Sequence, residues 1–252
     1  MLLSGLIDCV NLMRRGFSSA FGLALLWMAV AAPAAQAQQL RSVLELFTSQ
    51  GCSSCPPADK LLSELARRSD VIALTFPVDI WDYIGWKDTL ATPAFSARQK
   101  GYAATRGDGH VYTPQMVVNG VTHVVGSDAK AIDQTIEAVQ GRNGALKLPL
   151  SVKQAWAKIL IDVGADVGRS ASVYVLGVAQ KREVTIGRGE NKDRMVTYTN
   201  VVRSVTPVGA WNGSALHLEV DRGTEDGFVV LVQQGDEAKP ALILAAAKSP
   251  NL

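Results

Sequence analysis

The sequence predicts an α/β fold of the order βαβ then ββα, with a helical insert, over residues 38–145, followed by an all-β sandwich-like domain over residues 146–252. Three observations carry this reading. Apolar runs of strand length, "SVLELFTS" and "VIALTFPVD", bracket a segment whose apolar residues recur at helical spacing. A second pair of short apolar runs follows and is closed by another helical pattern. From Lys147 onward no helical period is left, and strand-like runs alternate with Gly, Asp and Asn.

Taken in order, "SVLELFTS" (42–49) reads as a strand, and Ala58, Leu61, Leu62, Leu65 and Ala66 then fall on one face of a helix. "VIALTFPVD" is apolar almost throughout, as expected of a parallel strand covered on both faces. An insert rich in aromatic residues comes next. "TPQMVVNGVTHVVG" supplies two short strands around a turn at Asn119-Gly120. Ser127 or Asp128 caps a last helix carrying Ala129, Ile132, Ile136 and Val139, and Gly141 closes it. The linker "QGRNGALKLP" is rich in Gly and short of apolar anchors. Beyond it, "KLPLSVK", "AKILIDVG", "ASVYVLGVA", "MVTYTNVVRSV", "ALHLEV", "GFVVLVQQ" and "ALILAAA" give the strands of the predicted sandwich. "GADVGRS" and "TIGRGENKDR" are Gly-rich without a following helix, and read as loops joining those strands.

Residues 1–37 carry the marks of an export signal. "RRGFSSAFGLALLWMAVAAPAAQA" has a basic pair, an apolar run and a small-x-small exit at Ala35-Gln36-Ala37, and Met13 is a more conventional start than Met1. A membrane span is disfavoured because Ser18, Ser19, Gly22 and Pro33 interrupt the run. The expected location is therefore periplasmic or secreted, with no membrane attachment after cleavage. Removal of residues 1–37 leaves 215 of the 252 residues and takes away Asp8, Arg14 and Arg15, so 23 basic side chains face 22 acidic ones. Such a balance offers no basic field for nucleic acid. Cys9 goes with the signal, and Cys52 and Cys55 remain, in a compartment where disulfides persist.

These two cysteines carry the chemistry. Read as a staple, a disulfide closing about four residues removes only ~2 kcal/mol of unfolded-chain entropy, against ~3 kcal/mol for a fifteen-residue loop. Its place between a buried strand and a helix start suits reactivity better, because backbone N–H groups and the helix dipole there stabilise a thiolate. Cys52, nearer the open loop, is the expected attacking sulfur, and Cys55 the resolving one. Pro56 and Pro57 lack N–H groups and disfavour helical geometry in the residue before them, so the helix is expected to begin near Pro57 with a modest effect on Cys52. A structural disulfide and metal ligation stay open as alternatives.

Strand, C-x-x-C, helix, strand and then "VYTPQMVVNG" together resemble the thioredoxin-like superfamily. The resemblance implies a cis-proline loop opening the third strand beside the active sulfur: Pro114 matches that proline, and Thr113 the residue whose backbone pairs with an extended substrate. It also implies a buried acid on the first strand that moves a proton from the resolving cysteine; Glu45 is the candidate, but it sits seven positions before Cys52 where the pattern places the acid six before, a slip that turns it to the other face, and a salt bridge at the sheet edge stays open as its alternative role. More narrowly, "ELFTSQGCSSCPPAD", "DIWDYIGWKD", "TPAFSARQKGY" and "YTPQMVVNG" are similar to the bacterial secreted family catalogued as domain of unknown function 1223, over nearly the whole chain after the signal. Two departures from ordinary thioredoxins stand out: Gly51 occupies the place of a tryptophan, and Ser53-Ser54 lie between the cysteines.

Trp81, Tyr83 and Trp86 of the insert are expected at the rim of a peptide-binding groove, with Trp81 and Trp86 as substrate-binding residues, while Phe95 and Tyr102 fill the core. His110 and His123 raise the question of a metal, but neither shows metal-ligand spacing, and Asp79, Asp82 and Asp88 read as a solvated acidic loop; no metal and no cofactor are expected. The expected function is an exported thiol-disulfide oxidoreductase, acting on protein or peptide thiols through Cys52 and Cys55 with a separate redox partner. The alternative is a non-catalytic binding module for copper, zinc or a partner protein.

Overall fold

The computed structural model describes residues 39–252, and the expected signal segment lies outside them. Residues 38–252 form one compact unit. Its elements are β1 (Ser42–Thr48), α1 (Pro56–Leu65), β2 (Val71–Pro77), α2 (Pro93–Arg106), β3 (Gln115–Val118), β4 (Thr122–Val125) and α3 (Ala129–Val139), followed by β5 (Leu150–Ala155), β6 (Lys158–Val163), β7 (Ala171–Thr185), β8 (Met195–Trp211), β9 (Leu216–Asp221), β10 (Gly227–Gly235) and β11 (Pro240–Lys248). The fold is mixed α/β with a majority of strand. None of the described helices is long and apolar enough to cross a membrane.

Local signals set the boundaries. Pro93 opens α2 after an extended Thr92, and Gly107, at φ 75°, closes it. Asp128 caps α3 by accepting the Ala131 N–H. Asn119 and Gly120, both at positive φ, make the β3–β4 turn. Helix α1 begins at Pro56, slightly earlier than expected, and Cys55 adopts helical φ/ψ as its N-cap despite preceding proline. Backbone bonds hold it there: its N–H donates to the Cys52 carbonyl, and its own carbonyl accepts from Ala58 and Asp59.

Eight strands form one sheet in the order β11-β10-β7-β8-β2-β1-β3-β4, and β5-β6-β9 form a second, three-stranded sheet. β1 and β2 are parallel, whereas β1 with β3 and β3 with β4 are antiparallel. All seven C-terminal runs become strands, but they do not close into a separate sandwich. Four of them extend the first sheet, β8 joining β2 through Thr75 and Val201, so the expected boundary at residues 145/146 falls within a shared sheet. The junction is reinforced by side chains: Asn200 donates to the Ala73 carbonyl and Thr75 to the Thr199 carbonyl. A sandwich-like layer does exist, in which Ile159, Ile161 and Val163 of β6 pack with Val173, Val175, Val230 and Val232 of the large sheet.

β1 is buried on both faces, and its alternation sorts everything around it. Leu44 and Leu46 face α1 and α3, packing with Leu62, Ile132 and Ile136. Val43 and Phe47 face the other way, toward Phe95 and Tyr102 of α2. Glu45 shares that second face. Its carboxylate accepts both Nε (2.9 Å) and Nη2 (2.8 Å) of Arg98, and the Tyr102 hydroxyl at 3.0 Å. Gln233 of β10 completes the network by accepting from Arg98 Nη2 and donating to the Tyr102 oxygen. Glu45 is therefore bound into a buried ion pair in the middle of the sheet. It lies on the face of β1 opposite α1 and is committed to Arg98, so the structure does not bring it to the cysteine pair in the proton-transfer role expected of it.

Removing one partner of such a pair strands a buried charge and costs about 3–5 kcal/mol, whereas replacing both with apolar groups costs far less. Arg98→Met is accordingly expected to lose on the order of 3–5 kcal/mol in denaturant unfolding, and the Glu45→Leu/Arg98→Met double variant to recover most of it. Equal losses in the two would contradict the assignment.

Candidate functional site

Cys52 and Cys55 are disulfide-bonded, with Cα atoms 5.4 Å apart, at the N-terminal end of α1. Cys55 is fully buried and Cys52 is 5% exposed, while Ser53 and Ser54 between them are exposed. The Ser54 hydroxyl lies 3.5 Å from the Cys52 sulfur. The Thr113–Pro114 peptide bond is cis, as the resemblance implied. Pro114 is brought near the first turn of α1 at Gly126: a Cβ there would stand 3.2 Å from Pro114 and 3.3 Å from Ala58.

The loop leading into Cys52 is organised by the insert. Gln50 donates its N–H to the Asp88 carboxylate (2.8 Å), and its side-chain oxygen accepts the Trp86 indole N–H (2.7 Å). Asp88 also accepts the N–H groups of Leu90 and Ala91. Burial pushes the Asp88 carboxyl above its ordinary pKa, and these backbone donors oppose the shift. The expected solvated acidic loop is thus different in fact, because Asp88 is a buried clasp. Asp82 accepts the Asp88 N–H, and Asp79 accepts the Ser96 hydroxyl.

Trp81 and Trp86 both border the cysteine loop and are half-buried, while Tyr83 is exposed beside Trp81. Trp81 donates its indole N–H to the Thr113 hydroxyl at 2.7 Å, tying the insert to the proline loop. It also explains Gly51. A Cβ at that position would sit 2.9 Å from the Trp81 Cβ, so the space beside the first cysteine is already filled from the insert. Phe95 and Tyr102 lie in the core, as expected.

Three residues that the sequence reading passed over belong here. Asn191, at the tip of the β7–β8 hairpin, is buried and donates through its amide to the carbonyls of Gln50 (3.0 Å) and Cys52 (2.8 Å). "TIGRGENKDR" is therefore a cover for the cysteine loop as well as a strand connection. Nothing local signals this, because the partners are about 140 residues apart in sequence. Gln50 is the second, hub of the loop. The third is Asp59, one turn after Cys55 on the inner face of α1. Its Oδ1 accepts the Thr48 hydroxyl (2.8 Å) from the end of β1, while the buried Oδ2 has no hydrogen-bond partner. Burial pushes its pKa up to about 8, with the Thr48 bond opposing and the nearby Asp88 adding to the rise. A cleft of about 250 Å³ opens beside it, lined by Pro56, Lys60, Ser63 and Met195 among others. Helical spacing put a signal in the sequence: Asp59 precedes Leu62 by three and Ser63 by four, on the edge of the apolar stripe.

His110 and His123 also come together, joined by Asp108. Burial holds the His123 imidazole below its ordinary pKa, and Arg106 adds to that, with Asp108 opposing.

A family model described as Protein of unknown function (DUF1223) matches residues 43–233. Among solved structures, the crystal structure of protein AGR_C_4864 from Agrobacterium tumefaciens is similar to this chain at 35% identity and a TM-score of 0.75, covering 84% of this chain and 94% of that one. No curated protein matches.

Two measurements probe the site. Asn191→Ala removes the clasp over Cys52, and the 52–55 disulfide is expected to be reduced several-fold faster by a water-soluble phosphine, followed by thiol counting. The second concerns Asp59. With its pKa raised from 3.8 to about 8, the folded chain holds a proton that the unfolded chain has released over that interval. Its contribution to stability is complete below about pH 4 and is lost as pH rises through 8. Asp59→Asn is expected to flatten the fall in denaturant midpoint between pH 5 and 9 by an amount on the order of a few kcal/mol in unfolding free energy.

Proposed function

The chain belongs to the family of proteins of unknown function DUF1223, and on the geometry of its cysteine site we propose that it is an exported thiol-disulfide oxidoreductase of thioredoxin-like fold. The sheet segment β2-β1-β3-β4, with β1 and β2 parallel, α1 and α3 on one face and α2 on the other, supports the fold reading. One observation carries the activity: a disulfide at the start of a helix, in which Cys52 keeps slight exposure and Cys55 has none, with the protonatable Asp59 one turn further along the same helix.

The chemistry follows from that asymmetry. In the oxidised state a substrate thiolate attacks the Cys52 sulfur, the 52–55 bond breaks, and Cys55 leaves as a thiolate. A buried thiolate is costly, and Asp59, still protonated near neutral pH, supplies the proton directly or through a water in the adjoining cleft. A second substrate thiolate then attacks the substrate sulfur of the mixed disulfide and expels Cys52 as a thiolate, so the substrate leaves as a disulfide, and Cys52 and Asp59 take up protons from solvent. Two electrons pass to the protein, and the same steps in reverse reduce a substrate disulfide. Asp59 thereby takes the place expected of Glu45. Trp81, Tyr83 and the Thr113 backbone offer a rim along which an extended peptide is held, and Asn191 limits how far the loop opens. Protein or peptide thiols fit this rim as substrates, with a separate redox partner to regenerate the pair.

Burial of both sulfurs, with the β7–β8 tip bonded to the Cys52 carbonyl, favours the second reading, a binding module whose disulfide does not turn over. Trapping separates the two. Cys55→Ser, with Cys52 left as the sole nucleophile, is expected to attack disulfide-bonded peptides and accumulate mixed disulfides, releasing the other peptide half as a thiol, detected by mass spectrometry, and Cys52→Ser to form few. If both variants trap equally poorly, the enzyme reading fails and the binding reading stands.

A further inference from the structure

We propose that Asp108, His110 and His123 form a binding site for a divalent late first-row metal ion such as Zn²⁺. This inference is independent of the redox reading.

The residues come from two elements. Asp108 and His110 lie in the Gly-Asp-Gly-His loop that follows α2, where Gly107 and Gly109 both take positive φ and let the chain turn sharply. His123 lies on β4, paired with Val117 of β3. One carboxylate oxygen and two imidazole nitrogens, one from each side chain, all lie within 4.8 Å of one another. Asp108 Oδ2 and His123 Nε2 are 3.2 Å apart. Two ligands bound at about 2.1 Å in a tetrahedral shell stand roughly 3.4 Å apart, so this pair already has the spacing of neighbouring ligands. The His110 ring meets the His123 ring edge-on, with centroids at 5.7 Å. Being on an exposed loop, it needs only a side-chain adjustment to close the third position.

Groups behind the ligands hold them in place. Arg106 Nε and Nη2 donate to the two oxygens of Asp108 (2.7 and 3.2 Å), and the His110 N–H donates to Oδ1 (2.9 Å). The Tyr112 hydroxyl lies 2.8 Å from Nδ1 of His123. That contact fixes the ring with Nε2 directed at Asp108, the orientation in which a metal replaces the Nε2 proton and Nδ1–H donates to the tyrosine oxygen. Two imidazoles and one carboxylate select zinc, cobalt, nickel or copper over calcium or magnesium, which prefer an all-oxygen shell. Three protein ligands on an exposed surface leave the fourth position to water. The Arg106 charge weakens attraction for a cation, so affinity is expected to fall below that of a closed structural site.

The same chain of contacts, without metal, is a hydrogen-bonded relay that fastens the loop to β4. The experiment distinguishes these. Chelator-treated protein, with the 52–55 disulfide intact, is titrated with ZnCl₂ alone by calorimetry and then with Co²⁺ by absorption spectroscopy. Expected are one zinc per chain, at least a tenfold loss of affinity in His110→Gln and in Asp108→Asn, and a loss of about tenfold in Tyr112→Phe, which removes only the outer partner. The cobalt spectrum is expected to show bands of nitrogen and oxygen donors without thiolate charge transfer. Cys52→Ser/Cys55→Ser and His217→Gln, which alters the surface His217–Asp162 pair elsewhere in the chain, are expected to bind zinc as the parent does. No uptake by the parent, unchanged affinity in His110→Gln, or loss of binding in the cysteine or His217 variants overturns the proposal.

Discussion

The ion pair between Glu45 and Arg98 is the constraint around which the sheet is arranged. Both groups are buried, and a carboxylate in the middle of a doubly covered strand is tolerable only if it is paired and hydrogen-bonded. Arg98 reaches it bidentately from α2, Tyr102 adds a hydroxyl from one turn further along the same helix, and Gln233 reaches in from β10. Four side chains from β1, α2 and β10 must therefore converge, which ties the α/β part of the chain to the strands that extend it. Gly101 makes the approach possible on the helix side, since a Cβ there would stand 2.5 Å from the Ala238 carbonyl oxygen. Arg98 also lies over the rings of Phe76 and Tyr102, at 5.5 and 5.0 Å from their centroids, so the cation is sheathed as well as paired.

Because side chains alternate along a strand, committing Glu45 to one face of β1 commits Thr48 to the other. Thr48 accordingly meets Asp59 under the cysteine loop. The two buried acids are accommodated differently. Glu45 is ion-paired with the Arg98 guanidinium. Asp59 has one hydroxyl and an unpaired oxygen, and neutrality there comes from keeping its proton. The ion pair and the protonated acid are thereby placed on opposite sides of one strand.

Much of this was legible in the sequence, and the parts that were not share a cause. Periodicity placed every helix and strand named in advance, Asp128 and Gly141 marked the ends of α3, and the cysteine and proline motifs found their places. Each of those signals is local. The register of Glu45 was a matter of one residue, and only the position of Arg98, 53 residues away, decides which face it takes. The union of the C-terminal strands with the first sheet rests on contacts such as Asn200 to Ala73, and the cover over Cys52 on Asn191, both separated by well over 100 residues. His110 and His123 have no ligand spacing along the chain because the sheet edge, and not a helical turn, brings them together with Asp108.

The covered cysteine loop gives the C-terminal strands a role beyond stability. A hairpin whose tip donates two hydrogen bonds to the carbonyls flanking the first sulfur, and whose glycine at 187 lies against Trp86, couples access at Cys52 to the position of β7 and β8. Those strands are anchored to α1 as well, through Ser63 and Thr199 at 2.7 Å. Movement at the sulfur is thus resisted by bonds on both sides of α1's first turns, each worth only about 1 kcal/mol net. Bonds of that size are few and weak enough for a partner that supplies its own backbone donors to displace them. Under the proposed redox function, access to Cys52 is therefore set at the hairpin tip, on residues outside the cysteine pair.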